Sequence, residues 1–303
     1  MTAGDREVDR LVADLLSRCT FPEPAAPSSG RPAEAIAGVS GGADSLALLV
    51  LATAAGLPVT AVHVDHGLRP GSAAEADVVA VAAERFGAGF RSERVVVEPG
   101  SDLEQRARDA RLAVLGVTAM TGHTADDQAE TVLLNLMRGA GPPGLAAMAP
   151  GPRHPILGLR RSETEALCRA VGLDPVADPS NRDPRFRRNR VRNELLPLIG
   201  DIADRDPVPL LARTAALARA VRDHVDGEAA DLDPTDTATL AQAPLPVAQA
   251  ALRRWLADER GHPPSAAELD RVMAVVDHEV VACQISGGRR IARSRGRLRI
   301  EAT

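Results

Sequence analysis

Four times between residues 36 and 141, a short apolar run ends in small or polar residues and gives way to a helical pattern. The runs lie at 36–39, 59–64, 94–97 and 117–121. Helical spacing begins near Asp44, at Ser72 with Glu75 as a capping-box pair, at Leu103 with Ala107, Ala110 and Val114, and at Ala129 with Val132, Leu133 and Leu136. Strands that alternate with helices favour parallel pairing, because each helix returns the chain to the start of the next strand. The fold class expected is α/β, a doubly wound parallel sheet with its ligand beyond the carboxyl ends of the strands. Helices are also expected at 5–18 and 162–171, with a Pro/Gly/Ser connector, "TFPEPAAPSSGRP", after the first. Past residue 205 the pattern turns helical, through Leu210, Leu217, Val221, Leu252, Trp255 and Leu256. Ser265 and Glu268 open a further helix, and the tail reads as two or three short strands. Three segments follow: 1–34, 35–204, and a smaller, mostly helical domain over 205–303.

The first strand-to-helix junction reads "IAGVSGGADSLALLVLA". Glycines at 41 and 42 let successive N–H groups point into one concavity, and the helix that starts near Asp44 aims its positive end there. A nucleotide loop built on Gly-Lys-Ser/Thr is excluded, since all 36 basic residues are arginine. Ser40 and Ser45 supply hydroxyl donors, with Gly41, Gly42 and Ala43 supplying backbone. Asp44 would repel a bare phosphate, so its presence points to a bridging cation, most simply Mg²⁺. "ISGGRR" in the tail lacks the acid–serine pair and a following helix, and reads as a hairpin turn.

Three other segments carry chemistry. In "VHVDHGLRPGS", Asp65, His66 and Arg69 fall just beyond the second strand, where ligand contacts belong, while His63 reads as strand filler. In "TGHTADDQAETVLLNLMRGAG", His123, Asp126, Asp127, Gln128 and Glu130 gather where another strand meets a helix. Acids in a first turn suit the helix dipole, but this cluster also suits Mg²⁺ or the ammonium of a cationic substrate. In "NRDPRFRRNRVRNELLP" six arginines lie between 182 and 192, and a second six lie between 289 and 299, in a chain of net charge -5. Two such patches suit phosphate contacts with a large nucleic acid.

No apolar stretch reaches the roughly 18–20 residues of a membrane helix, and "MTAGDREVDR" does not read as a secretion signal. Three distant cysteines, Cys19, Cys168 and Cys283, form neither a disulfide framework nor a metal knuckle. A cytoplasmic protein is expected.

"SGGADS" between a strand and an apolar helix resembles the PP-loop of the ATP pyrophosphatase superfamily. With "HVDHGLR", "LEQRARDAR", "GHTADDQAET", "RGAG" followed by "PGLAAM", and "DPSNRDPRFRRNRVRNELLP", residues 35–200 resemble the tRNA(Ile)-lysidine synthetase family. The resemblance implies a ligase that uses ATP and Mg²⁺ to adenylate the wobble cytidine of a CAU anticodon in tRNA(Ile). Free L-lysine then displaces AMP through its ε-amine. It implies that Ser40, Gly41, Gly42, Ala43, Asp44 and Ser45 hold pyrophosphate and Mg²⁺, and that Arg108 acts near the activated base. Asp127 and Glu130 would bind or orient the lysine ammonium. His66, Arg69, His123 and Asp126 would contact substrate, and Arg185, Arg187, Arg188, Arg190 and Arg192 would grip tRNA. Residues 205–303 would add a tRNA contact, and a homodimer is the assembly expected from bacterial relatives. The segment before residue 117 is shorter than the family pattern. A tRNA thiolase and a non-catalytic nucleotide-binding module are the rival readings; the first needs paired cysteines, the second neither the acid cluster nor the arginine patch.

Overall fold

The computed structural model describes residues 3–23, 34–65, 72–95, 103–176, 183–258 and 261–302. Strands β1 (Ala35–Gly38), β2 (Val59–Asp65), β3 (Gly89–Arg94) and β4 (Met120–Thr121) form a parallel sheet in the order β3-β2-β1-β4. Helices α1 (Ala3–Leu16), α2 (Ala43–Ala54), α3 (Ser72–Arg85), α4 (Leu103–Leu115), α5 (Ala125–Leu136), α6 (Pro142–Leu145) and α7 (Arg161–Ala170) accompany it.

Strand periodicity divides the core. On one face Ala37, Val39, Val59 and Ala61 meet α2, α3, Leu15 of α1 and Leu167 of α7. On the other, Val62 with Ile36 and Val64 meets Val114 and Leu115 of α4. Helix α2 buries every residue from Ser45 to Ala52, as a helix apolar all round must. Helices α2 and α3 thus step the chain outward from β1 to β3 on one face. Helix α4 returns it across the other, delivering β4 to the free edge of β1. Strand order reverses between β1 and β4, and a crevice opens at their carboxyl ends.

Two strands differ from expectation. The third was expected at 94–97 but β3 spans Gly89–Arg94, in register from Thr60↔Gly89 to Asp65↔Arg94. It is an exposed edge strand, held by its backbone ladder, so "GFRSER" carries no apolar alternation; Val95 still donates to the Asp65 carbonyl at 2.8 Å. The fourth was expected at 117–121 but pairs only through Met120 and Thr121. Gly116, at φ +80°, turns the chain and leaves Val117 in solvent.

Gly122, just past β4, has no room for a side chain: a Cβ would lie 2.7 Å from the Asp44 carbonyl oxygen. Gly122→Ala should therefore destabilise the protein by about 1–3 kcal/mol in urea unfolding. An unchanged midpoint would mean that the two backbones can part freely.

The chain continues through α8 (Arg187–Arg190), a π-helical turn (Val191–Leu195), α9 (Leu196–Ala203) and α10 (Pro207–Glu228). Its two compact units are Met1–Ala216 and Leu217–Thr303, so the division falls inside α10. Asp204, left-handed at φ 50°, closes α9 at the end of the expected 35–204 segment. Yet Val208 and Leu211, in the next helix, pack with Ala125, Ala129, Val191 and Leu196 of the first unit.

The second unit adds α11 (Thr237–Gln242), α12 (Leu245–Trp255), α13 (Ala266–Val276) and an antiparallel sheet of β5 (Ala282–Ile285), β6 (Arg289–Ser294) and β7 (Arg297–Ala302). Leu252, Leu256, Val272, Val276, Ile291 and Leu298 share its core. Ser265 caps α13 reciprocally with Glu268. Gly287 and Gly288, both at positive φ, make the hairpin turn expected of "ISGGRR".

Candidate active site

The turn after β1 lies at the crevice. Gly41 sits at φ +86°, where a Cβ would also press on Val176 at 3.2 Å. The Val176 N–H donates to the Gly41 carbonyl at 2.9 Å. Ser45 fixes the turn from inside: its hydroxyl accepts the Ser40 N–H at 3.1 Å and donates to the Gly42 carbonyl at 2.9 Å. Among the described residues, no side chain caps α2 at Gly42. The Ser45 and Leu46 N–H groups already donate to the Gly42 carbonyl, at 3.1 and 3.0 Å, so the amides of Ala43 and Asp44 are the ones that keep anion-binding capacity at the positive end of the helix. Behind the turn, His63 hydrogen-bonds the Val39 carbonyl through Nδ1 at 3.1 Å, and its Nε2 has no partner among the described residues.

Asp44, in the first turn of α2, faces α7. One of its oxygens accepts the Thr164 hydroxyl, and the other the Arg161 Nε–H at 3.4 Å. Burial pushes this carboxyl up to about 6, against the pull of Thr164 and Arg161.

Beside it stands the start of α5. Asp127 turns back on Thr124, accepting its N–H at 2.9 Å and its hydroxyl at 3.0 Å. Its other oxygen faces Arg161 at 3.1 Å and Arg188 and Arg192 at 3.4 Å each. Glu130, one turn on, has a side chain 0% exposed. It accepts from Arg188 Nε at 2.7 Å, Arg192 Nε at 2.6 Å and Arg161 at 3.3 Å. Burial alone would raise Asp127, but the guanidiniums of Arg161 and Arg188 outweigh it and hold the carboxyl below its ordinary range. Burial likewise opposes the charge of Arg161, and Asp127, Glu130 and Asp44 more than offset it, raising its pKa. Three carboxylates thus face three guanidiniums in one partly desolvated cluster. Such an arrangement survives only while each charge keeps its partners.

Asp126 points away from Asp127: it accepts Arg160 Nε at 3.1 Å and the Arg161 backbone N–H at 2.8 Å, so it caps α7. His123 meets the Thr121 hydroxyl at 2.8 Å, with the ring of His154 edge-on at 5.0 Å. Burial, with the nearby positive charges of Arg188 and Arg111, holds His123 down to about 4 despite Asp127, so the ring is neutral at pH 7. The arginine-rich segment divides. Arg188 and Arg192 turn inward to the acids. Arg185 pairs with Asp183 and Arg190 with Glu194 at the surface, and Arg187 is exposed. Arg108 lies in α4 with its side chain outside the described residues, as are His66 and Arg69 altogether.

Sequence reasoning missed Arg160, Arg161 and Thr164. A signal existed in "LRRSET": two cations at a helix start oppose its dipole, and so ask for acids from elsewhere.

The chain matches a PP-loop domain over residues 20–199 and a TilS substrate binding domain over residues 236–299. It is 43% identical to the tRNA(Ile)-lysidine synthase of Nocardia farcinica, over 88% of this chain and 91% of that protein. It is 38% identical to the tRNA(Ile)-lysidine synthase of Rhodococcus erythropolis, over 87% and 88%. Among solved structures, a U34-tRNA thiolase from Methanococcus maripaludis shares the fold, with TM-score 0.52 and 16% identity over 71% of this chain and 80% of that one. The uncapped amides and acid of the turn after β1, and the relatives that match along nearly the whole chain, agree: this protein belongs to the tRNA(Ile)-lysidine synthase family, built on a PP-loop ATPase domain.

Proposed function

We propose that the protein converts the wobble cytidine of a CAU-bearing tRNA(Ile) into lysidine in the cytoplasm. ATP adenylates the base at its C2 oxygen with release of pyrophosphate, and the ε-amine of free lysine then displaces AMP. The observation that carries the reading is the turn Ser40–Ser45, whose amides and Asp44 open beside the buried acid pair of α5. The uncapped α2 amides fit phosphate oxygens. Asp44 fits Mg²⁺, which ordinarily takes one or two carboxylates and completes its shell with phosphate and water oxygens. Bound there, Mg²⁺ would neutralise charge that develops on the leaving pyrophosphate.

Ser40 and Ser45 preorganise the amides, and Asp127 and Glu130 supply negative charge for the lysine ammonium. Neutral His123 can accept or donate one hydrogen bond at the base, and Arg108 is assigned to the activated cytidine. Arg185, Arg187 and Arg190, all at the surface, are assigned to tRNA phosphates, with residues 205–303 as a further tRNA contact. A homodimeric assembly belongs to the same proposal. Sulfur transfer is disfavoured, because burial pushes the Cys19 and Cys168 thiols up to about 11, away from the reactive thiolate.

Purified protein with ATP, Mg²⁺ and labelled lysine should mark tRNA(Ile) transcripts that bear CAU, and leave tRNA(Met) unmarked. Absence of label, or equal labelling of both, would overturn the reading.

A further inference from the structure

Arg161 joins the acid of the phosphate turn to the acids of α5. Its Nε lies 3.4 Å from Asp44, its Nη2 3.1 Å from Asp127, and both Nη atoms 3.3 Å from Glu130. Thr164, in the next turn of the same helix, holds the other Asp44 oxygen. Arg188 and Arg192 reach Asp127 and Glu130 from the far side, with no contact to Asp44 among the described residues. Helix α7 is itself fixed at its start by Asp126 of α5 and, through Glu163, by Arg18 at 2.6 Å. The guanidinium is therefore presented from a stationary helix, and only its side chain needs to move.

We propose that Arg161 is a positioning residue that couples nucleotide binding to amine binding. The inference rests on the reading of Asp127 and Glu130 as the ammonium site. With three guanidiniums on three carboxylates the cluster is balanced. An incoming ammonium leaves it with excess positive charge, whereas a triphosphate at the α2 amides, even with Mg²⁺, brings excess negative charge. Each ligand offsets the other in a site where screening by water is weak. Arg161 can release Asp127 and Glu130 only if another anion lies within reach of its planar fork. A triphosphate beside Asp44 is that anion. Nucleotide thus draws Arg161 off the acid pair and frees for lysine the side that Arg161 covers, with Arg188 and Arg192 still holding the other, and by linkage lysine must tighten nucleotide by the same factor.

The test is calorimetry of lysine binding with and without Mg²⁺ and α,β-methylene-ATP, which cannot release pyrophosphate. Wild-type protein should bind lysine at least about fivefold more tightly with the analogue, and the analogue more tightly with lysine by an equal factor. Arg161→Gln should bind lysine without nucleotide and keep only the smaller tightening that direct attraction between the two ligands supplies, since the obstructing charge is gone. Arg161→Lys keeps the charge but not the fork, and should also tighten less than wild type; it decides the matter if the glutamine variant does not fold. Tightening as large as that of wild type in a folded variant, or lysine bound by wild type equally in both conditions, would overturn the coupling and leave the lysine reading intact. Lysine bound in neither condition would overturn both.

Discussion

Asp44→Asn is expected to reduce pyrophosphate release about a thousandfold, the loss of roughly 4 kcal/mol of charge stabilisation at the triphosphate. The side chain is the acid of the phosphate turn, and Thr164 and Arg161 keep it in one orientation. The same substitution has a second signature in the ligand-free protein. The carboxyl lies at about 6 in the folded chain, against an ordinary value of 3.8. Its raised value means that the folded state binds the proton more tightly than the unfolded state. The associated stability is complete below the unfolded value and is lost as pH rises through the folded one. Relative to Asp44→Asn, wild-type protein should gain about 1 kcal/mol of stability between pH 7 and pH 5 in urea unfolding. Parallel pH profiles would show that Asp44 is not desolvated as the structure has it, and near-normal pyrophosphate release would remove it from the chemistry.

Glu130→Gln is expected to be strongly destabilising. Glu130 is fully buried and receives Arg161, Arg188 and Arg192. Neutralising it leaves three guanidiniums with Asp127 and, for Arg161, Asp44, and breaking a buried pair from one side costs about 3–5 kcal/mol. The denaturation midpoint should fall accordingly. A companion Arg192→Gln should restore part of the loss, a coupling that a double-mutant cycle reads directly. Protein that still folds should form the adenylated intermediate but respond poorly to lysine. An unchanged midpoint would mean that the arginines are held by something other than this acid.

The legibility of the chain followed the range of the interactions involved. Helix α13 was readable because Ser265 and Glu268 are three residues apart and cap one another locally. The turn at 40–45 was readable because two glycines and a helix start are local features. Strand β3 was misplaced because an edge strand is held by its neighbour's backbone, which leaves no mark on its own side chains. The inward turn of Arg188 and Arg192 was not visible either. Along the sequence they belong to a run of like charges, and only α5, some sixty residues earlier by sequence number, supplies their partners.

The alternation of strands and helices, the phosphate turn and the acids at the start of α5 are each encoded within a few residues, by periodicity, glycine or capping. Tertiary structure alone decided which charges meet. Asp44 and Arg161 are 117 residues apart in the chain, and such a pair forms only once α2 and α7 pack on the same side of the sheet. Burial there sets how strongly each carboxylate is held, and no local pattern of residues carries that information.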